Sequence, residues 1–140
     1  MPLTPSFTSS TTPPDLVAAV LAIRDKKGED LRVLDLTGLT SISDYFVICS
    51  GRSTRQNQTI AAAVIEALGS RGARPLSHEG HASGRWILLD YVDFVVNVFL
   101  PEVRAFYGLE RLWADAEELQ VDGHALPARR SVRKSQAKES

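Results

Sequence analysis

The spacing of apolar residues along the chain predicts three helices. The first follows Asp15, which can cap it, because apolar residues recur there at helical intervals. The second follows Ser53, where Gln56 three residues later completes the pattern of a capping box. The third is expected over residues 102–119, with a break at Gly108. The first two helices each carry apolar residues at helical spacing along one stripe.

Five segments have the pattern of β-strands. They are residues 31–37, Tyr45–Ser50, 73–78, 86–91 and Phe94–Phe99. The second is continuously apolar, which indicates burial on both faces. Only Val92 and Asp93 separate the last two, so these strands are expected to form a hairpin. The element order αββαβββα predicts an α/β fold, a single domain with a mixed five-stranded sheet flanked by helices.

The two ends of the chain differ in composition from the part that contains these helices and strands. Residues 1–14 are rich in Ser, Thr and Pro, and we expect a disordered N-terminal segment before a domain over residues 15–121. Residues 122–140 carry five Lys or Arg against two acids, which predicts a basic, flexible tail that could make a weak RNA contact. The whole chain has a net charge of -1, so it is not a general polyanion binder.

The composition also limits the location of the protein. Cys49 is the single cysteine of the 140 residues, which excludes an internal disulfide framework and suits a reducing compartment. No apolar run is long enough to span a bilayer, and the N-terminus lacks the basic and apolar regions of a secretory signal. A cytoplasmic protein with no membrane contact is the expectation.

Three patterns invite a chemical interpretation, and each has a simpler structural one. The turn at residues 50–53 lies between a strand and a helix and could hold an anion, but its spacing matches no phosphate loop, so a turn with a helix cap is favoured. Asp90 and Asp93 could pair for metal or acid–base chemistry, although a turn also favours aspartate. His78 and His81 flank a glycine, which is typical of a polar loop rather than a metal site. We therefore expect no metal, no cofactor and no small-molecule substrate, and we expect Cys49 to be a core residue.

The residues around the hairpin favour a binding surface instead. Strand alternation places Trp86, Leu88 and Asp90 on one face, and the hairpin brings Asp93 and Asn97 near them. Tryptophan, tyrosine and arginine are the residues most enriched at interface hot spots. A purely structural role for the tryptophans in the core is the alternative.

The motifs in this region resemble those of the ribosomal silencing factor family, also called Iojap-like. The matching runs, in order, are Asp44-Tyr45-Phe46-Val47, Ser50-Gly51-x-Ser53-x-x-Gln56, Glu79-Gly80, Gly84-x-Trp86-Ile87-Leu88-Leu89-Asp90-Tyr91, Val95-Val96-x-Val98-Phe99 and Arg104-x-Phe106-Tyr107-x-Leu109-Glu110-x-Leu112-Trp113. The match covers about residues 15–119. Two departures stand out: Asn97 replaces the usual histidine, and Val92 replaces the usual glycine. Asparagine cannot take a proton as histidine does, but it can hydrogen-bond.

The resemblance implies a function as well as a fold. It implies a nucleotidyltransferase-like fold without the catalytic carboxylates, and therefore no enzyme activity. It implies a translation repressor that binds the large ribosomal subunit through ribosomal protein L-fourteen and blocks joining of the small subunit when nutrients are scarce. Homodimers are also implied. The partner-binding residues expected on this basis are Trp86, Leu88, Asp90, Asp93, Asn97, Tyr107, Leu109 and Glu110.

Two other functions remain open from the sequence. One is a nucleotidyltransferase-like enzyme that uses Ser50, Ser53, Asp90 and Asp93, for which Asp44 is the one candidate for a third acid near the turn at residues 50–53. The other is an assembly factor for the large subunit, which would use the same binding surface.

Overall fold

A computed structural model of the chain describes residues 13–119. The helices are α1 Pro14–Asp25, α2 Thr54–Gly69, α3 Pro101–Tyr107 and α4 Leu109–Leu112. The strands are β1 Glu29–Asp35, β2 Tyr45–Ser50, β3 Ser77–Glu79, β4 Trp86–Asp90, β5 Phe94–Phe99 and β6 Glu117–Leu119. The expected disordered segment and basic tail lie outside the described residues, apart from positions 13 and 14, and stay predictions.

The strands form one mixed sheet in the order β3-β4-β5-β2-β1-β6. The central pair, β2 and β5, is parallel, and every other neighbouring pair is antiparallel. Both central strands are mostly apolar, with the buried Asn97 as an exception within β5, because each has a neighbour on either side and packing on both faces. The prediction of one α/β domain with a mixed sheet is confirmed, but the prediction of five strands is wrong, since residues 13–119 form a sheet of six.

The missed strand also corrects the prediction of a third helix over residues 102–119. Gly108 takes a left-handed conformation (φ 59°) and divides that segment into α3 and α4, and helical structure ends at Leu112. β6 then pairs with β1, placing Glu117 opposite Asp35 and Leu119 opposite Val33. A strand of three residues is too short to show an alternating pattern in the sequence. Its formation depends on the backbone groups at the free edge of β1, with which it pairs.

Two apolar clusters lie on opposite faces of the sheet. The larger packs α1 and α2 against inward residues of five strands, and Ile87 and Leu89 belong to it. The smaller packs α3 and α4 against the other face, where Ile48 and Phe99 are buried. α3 and α4 are short, so they leave part of the second face, along β4, accessible.

The first two helices begin differently. The cap predicted at Ser53 is confirmed, because its hydroxyl accepts from the Gln56 N–H at 3.0 Å. α1 begins at Pro14 with Pro13 as its N-cap, so Asp15 is not the cap. Asp15 instead lies in the first turn and pairs with Arg71 at 2.6 Å. Within residues 13–119, no helix combines the length and the apolar character that crossing a bilayer requires.

Candidate partner surface

The outer face of β4 carries the residues predicted to bind a partner. Alternation along the strand buries Ile87 and Leu89 beneath the helices, while Trp86, Leu88 and Asp90 are half-buried on the opposite face. The predicted sharing of a face by these three side chains is confirmed. Trp86 and Asp90 lie about 13 Å apart, at the two ends of the strand.

Four rings in mutual contact extend this face onto α3, and we call them the aromatic ladder: Phe99, Trp86, Tyr107 and Phe106. Their successive ring centroids lie 4.8, 4.9 and 5.1 Å apart. Phe99 is buried, whereas Tyr107 is 54% exposed and Phe106 is 78% exposed. Large exposed rings resting on a buried one provide rigid contact area at low entropic cost. The sequence reasoning did not single out Phe106, although it lies within the family-like motif beside Tyr107.

Asn97 orients the ladder from below. Its side chain is 1% exposed, and its Oδ1 accepts a hydrogen bond from Trp86 Nε1 at 3.0 Å. This contact fixes the tilt of the indole and satisfies a donor that would otherwise be buried without a partner. The hydrogen-bonding ability expected of Asn97 is therefore used to hold Trp86. Because Asn97 is buried, it positions the indole of Trp86 beneath the surface.

The acidic end of β4 is held by the hairpin turn. Asp90 Oδ1 accepts from the Val92 N–H at 2.8 Å, and the Asp93 carbonyl accepts from the N–H groups of Asp44 and Tyr45 at 3.1 and 3.2 Å. The Asp93 side chain is exposed. The carboxylates of Asp90 and Asp93 therefore add negative charge to the end of the face farthest from the ladder.

Glu110 has a different environment from the one expected. Both of its oxygens are bound by Arg104, at 3.1 and 2.8 Å, and Arg32 contacts it at 2.9 Å. Arg32 also binds Glu118 of β6, and Arg104 donates to Ser50 at 3.0 Å. Hydrogen bonding from Arg104, followed by that from Arg32, lowers the pKa of Glu110. We call this set, Arg32, Glu110, Arg104 and Glu118, the ion network.

The ion network and Leu109 stabilise the domain itself. The network connects α3 and α4 to β1, β2 and β6, so the charge of Glu110 is already neutralised by internal partners. Leu109 packs partly buried against the smaller apolar cluster. These two positions support the surface from beneath, and the predicted contact residues that remain accessible are Trp86, Leu88, Asp90, Asp93 and Tyr107.

The fold separates the residues of the enzyme hypothesis. Asp44 and Asp93 lie where β2 and β5 begin, and Ser50 lies where β2 ends. The length of a six-residue strand, about 17–20 Å, stands between the acids and the serines. In the part of the chain that is described, no cluster of three His, Cys, Asp or Glu residues could hold a metal ion.

The turn at residues 50–53 uses its amides for structure. The Gly51 N–H donates to the Phe99 carbonyl at 3.2 Å, and the Arg52 N–H donates to Gln56 Oε1 at 2.8 Å. A side chain at Gly51 would meet Asn57 Oδ1 at 2.3 Å, so only glycine fits this close approach. These contacts favour the interpretation as a turn and cap over that of a phosphate cradle.

The other candidate groups have structural positions. Cys49 is fully buried, and desolvation raises the pKa of its thiol to about 12, as expected of a core residue. His78 lies on β3, where it pairs with Leu89 of β4, and His81 lies in the turn that follows β3. Both histidine side chains are exposed.

Comparison with known proteins gives a consistent result. The model of the family described as "Ribosomal silencing factor during starvation" matches residues 9–140. A ribosomal silencing factor of Halalkalibacterium halodurans is 40% identical over 108 residues, covering 77% of this chain and 92% of the relative. A mouse protein named "Mitochondrial assembly of ribosomal large subunit protein 1" is 29% identical over 120 residues, covering 81% of this chain and 53% of its own length. A crystal structure of a Chromobacterium violaceum protein superimposes with a TM-score of 0.70 at 33% identity, covering 89% of this chain and 96% of that one.

Proposed function

This chain belongs to the ribosomal silencing factor family, and on that premise we propose that it represses translation by binding the large ribosomal subunit and blocking small-subunit joining. The observation that carries the proposal is the aromatic ladder on a face whose far end is acidic. Repression by occlusion requires a specific surface and no chemistry, and this face offers exposed rings on a rigid base.

Charge favours a basic ribosomal protein as the direct contact, and the resemblance names L-fourteen. The exposed Asp93 and the half-buried Asp90 would steer a cationic surface into register, while Trp86 and Tyr107 would supply most of the affinity. The same proposal places the protein in the cytoplasm and makes it active when nutrients are scarce. A homodimer and a nucleotidyltransferase-like ancestry of the fold are part of what the resemblance implies.

An association assay tests the proposal. Purified large and small subunits are mixed at rising magnesium concentration with and without the protein, and joined ribosomes are separated on sucrose gradients. We expect the protein to co-sediment with large subunits and to reduce the joined fraction in proportion to its dose. Tyr107→Ala should lose this effect, while Leu76→Ala, which truncates another exposed apolar side chain, should retain it. An unchanged joined fraction at saturating protein would contradict the proposal.

Large-subunit assembly is a second candidate, because the name of the mouse relative states it. The two functions differ in the particle that is bound. A silencing factor binds mature subunits, whereas an assembly factor prefers precursors and causes them to accumulate when it is depleted. Sedimentation of both particle types with the purified protein separates the two.

The geometry gives no support to the enzyme alternative, since the carboxylates and serines it needs lie at opposite ends of β2. Titration calorimetry with nucleoside triphosphates and magnesium should therefore show no specific heat. Micromolar binding that Asp90→Asn abolishes would favour the enzyme.

A further inference from the structure

An open cavity of about 560 Å³ lies where the end of α1, the turn into β1 and the start of α2 meet. Its lining residues are Arg24, Lys27, Gly28, Glu29, Arg52 and Gln56. None of the partner-surface residues lines it, and it lies next to the turn at residues 50–53, from which Arg52 contributes a side chain.

The cavity has a surplus of positive charge. Its single acid, Glu29, already pairs with Arg52 at 2.8 Å. Arg24 and Lys27 make no ion pair with any residue in the described range 13–119. Two unneutralised cations on one cavity wall attract an anion, and because the site is open to solvent, that attraction depends on salt concentration.

The arrangement is held by specific contacts rather than by chance proximity of long side chains. Gln56 Nε2 donates to the carbonyls of Lys26 and Lys27, both at 3.3 Å, while its Oε1 accepts from the Arg52 N–H. One amide thus joins the end of α1 to the start of α2. Lys27 takes a left-handed conformation (φ 67°), where glycine or asparagine would be less strained. The presence of lysine at this strained position, beside a cavity lined by cations, indicates that its positive charge has a function.

The cavity lies close to the partner surface along one line of the sheet. Glu29 pairs with Ser50, Ser50 with Phe99, and Phe99 with Trp86. Three strand spacings separate Glu29 from Trp86, which is about 14 Å. Both places lie at the end of the sheet where β2 and β5 finish, the cavity on the side of α1 and α2 and Trp86 on the side of α3, so a partner as large as a ribosomal subunit that covers this end can contact both.

We propose that this cavity binds the phosphate backbone of RNA and forms a second contact with the large subunit, separate from the aromatic ladder. The proposal rests on the proposed function, since it assigns part of the same particle. The lining residues include no aromatic ring to stack a base, and the cavity is open, so a backbone contact fits better than an enclosed free nucleotide.

The salt dependence of binding tests this assignment. Affinity for purified large subunits is measured between low and physiological salt for the wild type and for Arg24→Gln/Lys27→Gln. Loss of two phosphate contacts should reduce the slope of log affinity against log salt by about 1.5 and weaken binding at low salt by roughly 10-fold. The matched control is Arg71→Gln/Arg74→Gln, which removes the same charge near the far end of α2, about 24 Å away. The control should keep the slope of the wild type.

A second variant excludes loss of folding as the explanation. Lys27→Gly removes one charge and also relieves the left-handed strain, so it should unfold at a temperature no lower than the wild type and still bind with a smaller slope. Equal slopes for all variants would overturn the RNA contact. Absence of binding by the wild type would instead contradict the proposed function. Competition by inorganic phosphate or ATP at micromolar concentration, lost in Arg24→Gln/Lys27→Gln, would replace the RNA assignment with a small-anion site.

Discussion

Val92 shows how a single residue can oppose the turn that it occupies. Its φ of 75° lies in the left-handed region, and the Asp93 N–H donates to the Tyr91 carbonyl across it at 2.8 Å, closing a three-residue turn. A β-branched side chain is strained there, and the resemblance implies glycine at this position.

Val92→Gly should therefore stabilise the protein. Relief of the left-handed strain exceeds the added entropy of the unfolded chain, so we expect a gain of about 1 kcal/mol, or roughly 4–8 °C in the unfolding midpoint. Thermal unfolding measures it. Val92→Ala keeps a Cβ at positive φ and should gain less, so equal midpoints for the two variants would contradict the explanation by strain.

Asp90 combines a structural and a proposed functional role, and paired substitutions separate them. Asp90→Asn keeps an oxygen for the Val92 N–H and removes the charge; Asp90→Lys removes both. Because Asp90 is half-buried and faces outward, both variants should fold, with Asp90→Lys losing about 1 kcal/mol of stability from the lost hydrogen bond.

Large-subunit binding should weaken in both Asp90 variants, and more for lysine. The expected loss for Asp90→Lys is about 2–4 kcal/mol if the carboxylate meets a buried cation of the partner, and under about 1 kcal/mol if it lies at the rim. Circular dichroism and binding are measured on the same samples. A folded Asp90→Lys protein that binds at full strength would remove Asp90 from the interface.

At the scale of elements, β6 and the ion network hold the last part of the domain to the sheet. Leu119 is buried opposite Val33, and Glu118 binds Arg32. The sequence predicts that residues 122–140 contribute little to folding, whereas the structure makes residues 117–119 part of the sheet.

Two truncations should therefore behave differently. A chain ending at Val121 should melt within a few degrees of the full chain. A chain ending at Ala116 loses a buried leucine and the Glu118 ion pair and should lose about 3 kcal/mol or more. Thermal unfolding of both compares them directly. A large loss in the longer chain would show that residues beyond 121 pack on the domain.

The ion network also predicts how stability depends on pH. Arg104 first, and Arg32 second, hold the pKa of Glu110 below its usual 4.5. A carboxyl with a lowered folded pKa contributes stability that is fully present above pH 4.5 and is lost as the pH falls through the folded pKa.

Glu110→Gln should consequently be less stable than the wild type at neutral pH, and the difference should shrink as the pH falls below 4.5 and through the lowered folded pKa. Unfolding midpoints from about pH 3 to pH 7 measure the effect. Glu66→Gln, at an exposed position with no ion pair among the described residues, provides the control for the loss of a carboxylate that lies outside the ion network.

At the scale of the whole molecule, the proposed contacts lie on both faces of the sheet: the basic cavity is on the side of α1 and α2, and the aromatic ladder and the acidic end of β4 are on the side of α3. The aromatic ladder, the acidic end of β4 and the basic cavity share no side chains, and about 14 Å separates the cavity from Trp86. Sites at such separation act nearly independently on binding free energy.

Combining Tyr107→Ala with Arg24→Gln/Lys27→Gln should therefore give an additive loss of large-subunit binding, within about 0.5 kcal/mol. The salt slope of the combined variant should equal that of the cavity variant alone, since Tyr107→Ala removes no cation. Binding titrations of the wild type and the three variants provide a double-mutant cycle. A combined loss much smaller than the sum would mean that the two surfaces contact the partner as one unit.

The sequence by itself determined the elements whose patterns are local. β2 and β5 have the predicted bounds because short, mostly apolar runs are typical of strands that are covered on both faces. The cap at Ser53 and the outward face of Trp86, Leu88 and Asp90 also followed, since both depend on spacings of two or three residues. The family resemblance was likewise readable from the motifs.

Only the tertiary structure decided what depends on residues distant in the chain. β6 is a strand because β1 has an edge to pair with, and Glu110 is an internal partner because Arg32 reaches it from 78 residues away. Asn97 became a support for Trp86, and the serines became separated from the acids, because strand register sets those distances. The basic cavity exists because Gln56 brings two helix ends together. Local pattern fixes which face a side chain takes, but contact between faces is set by packing of the whole domain.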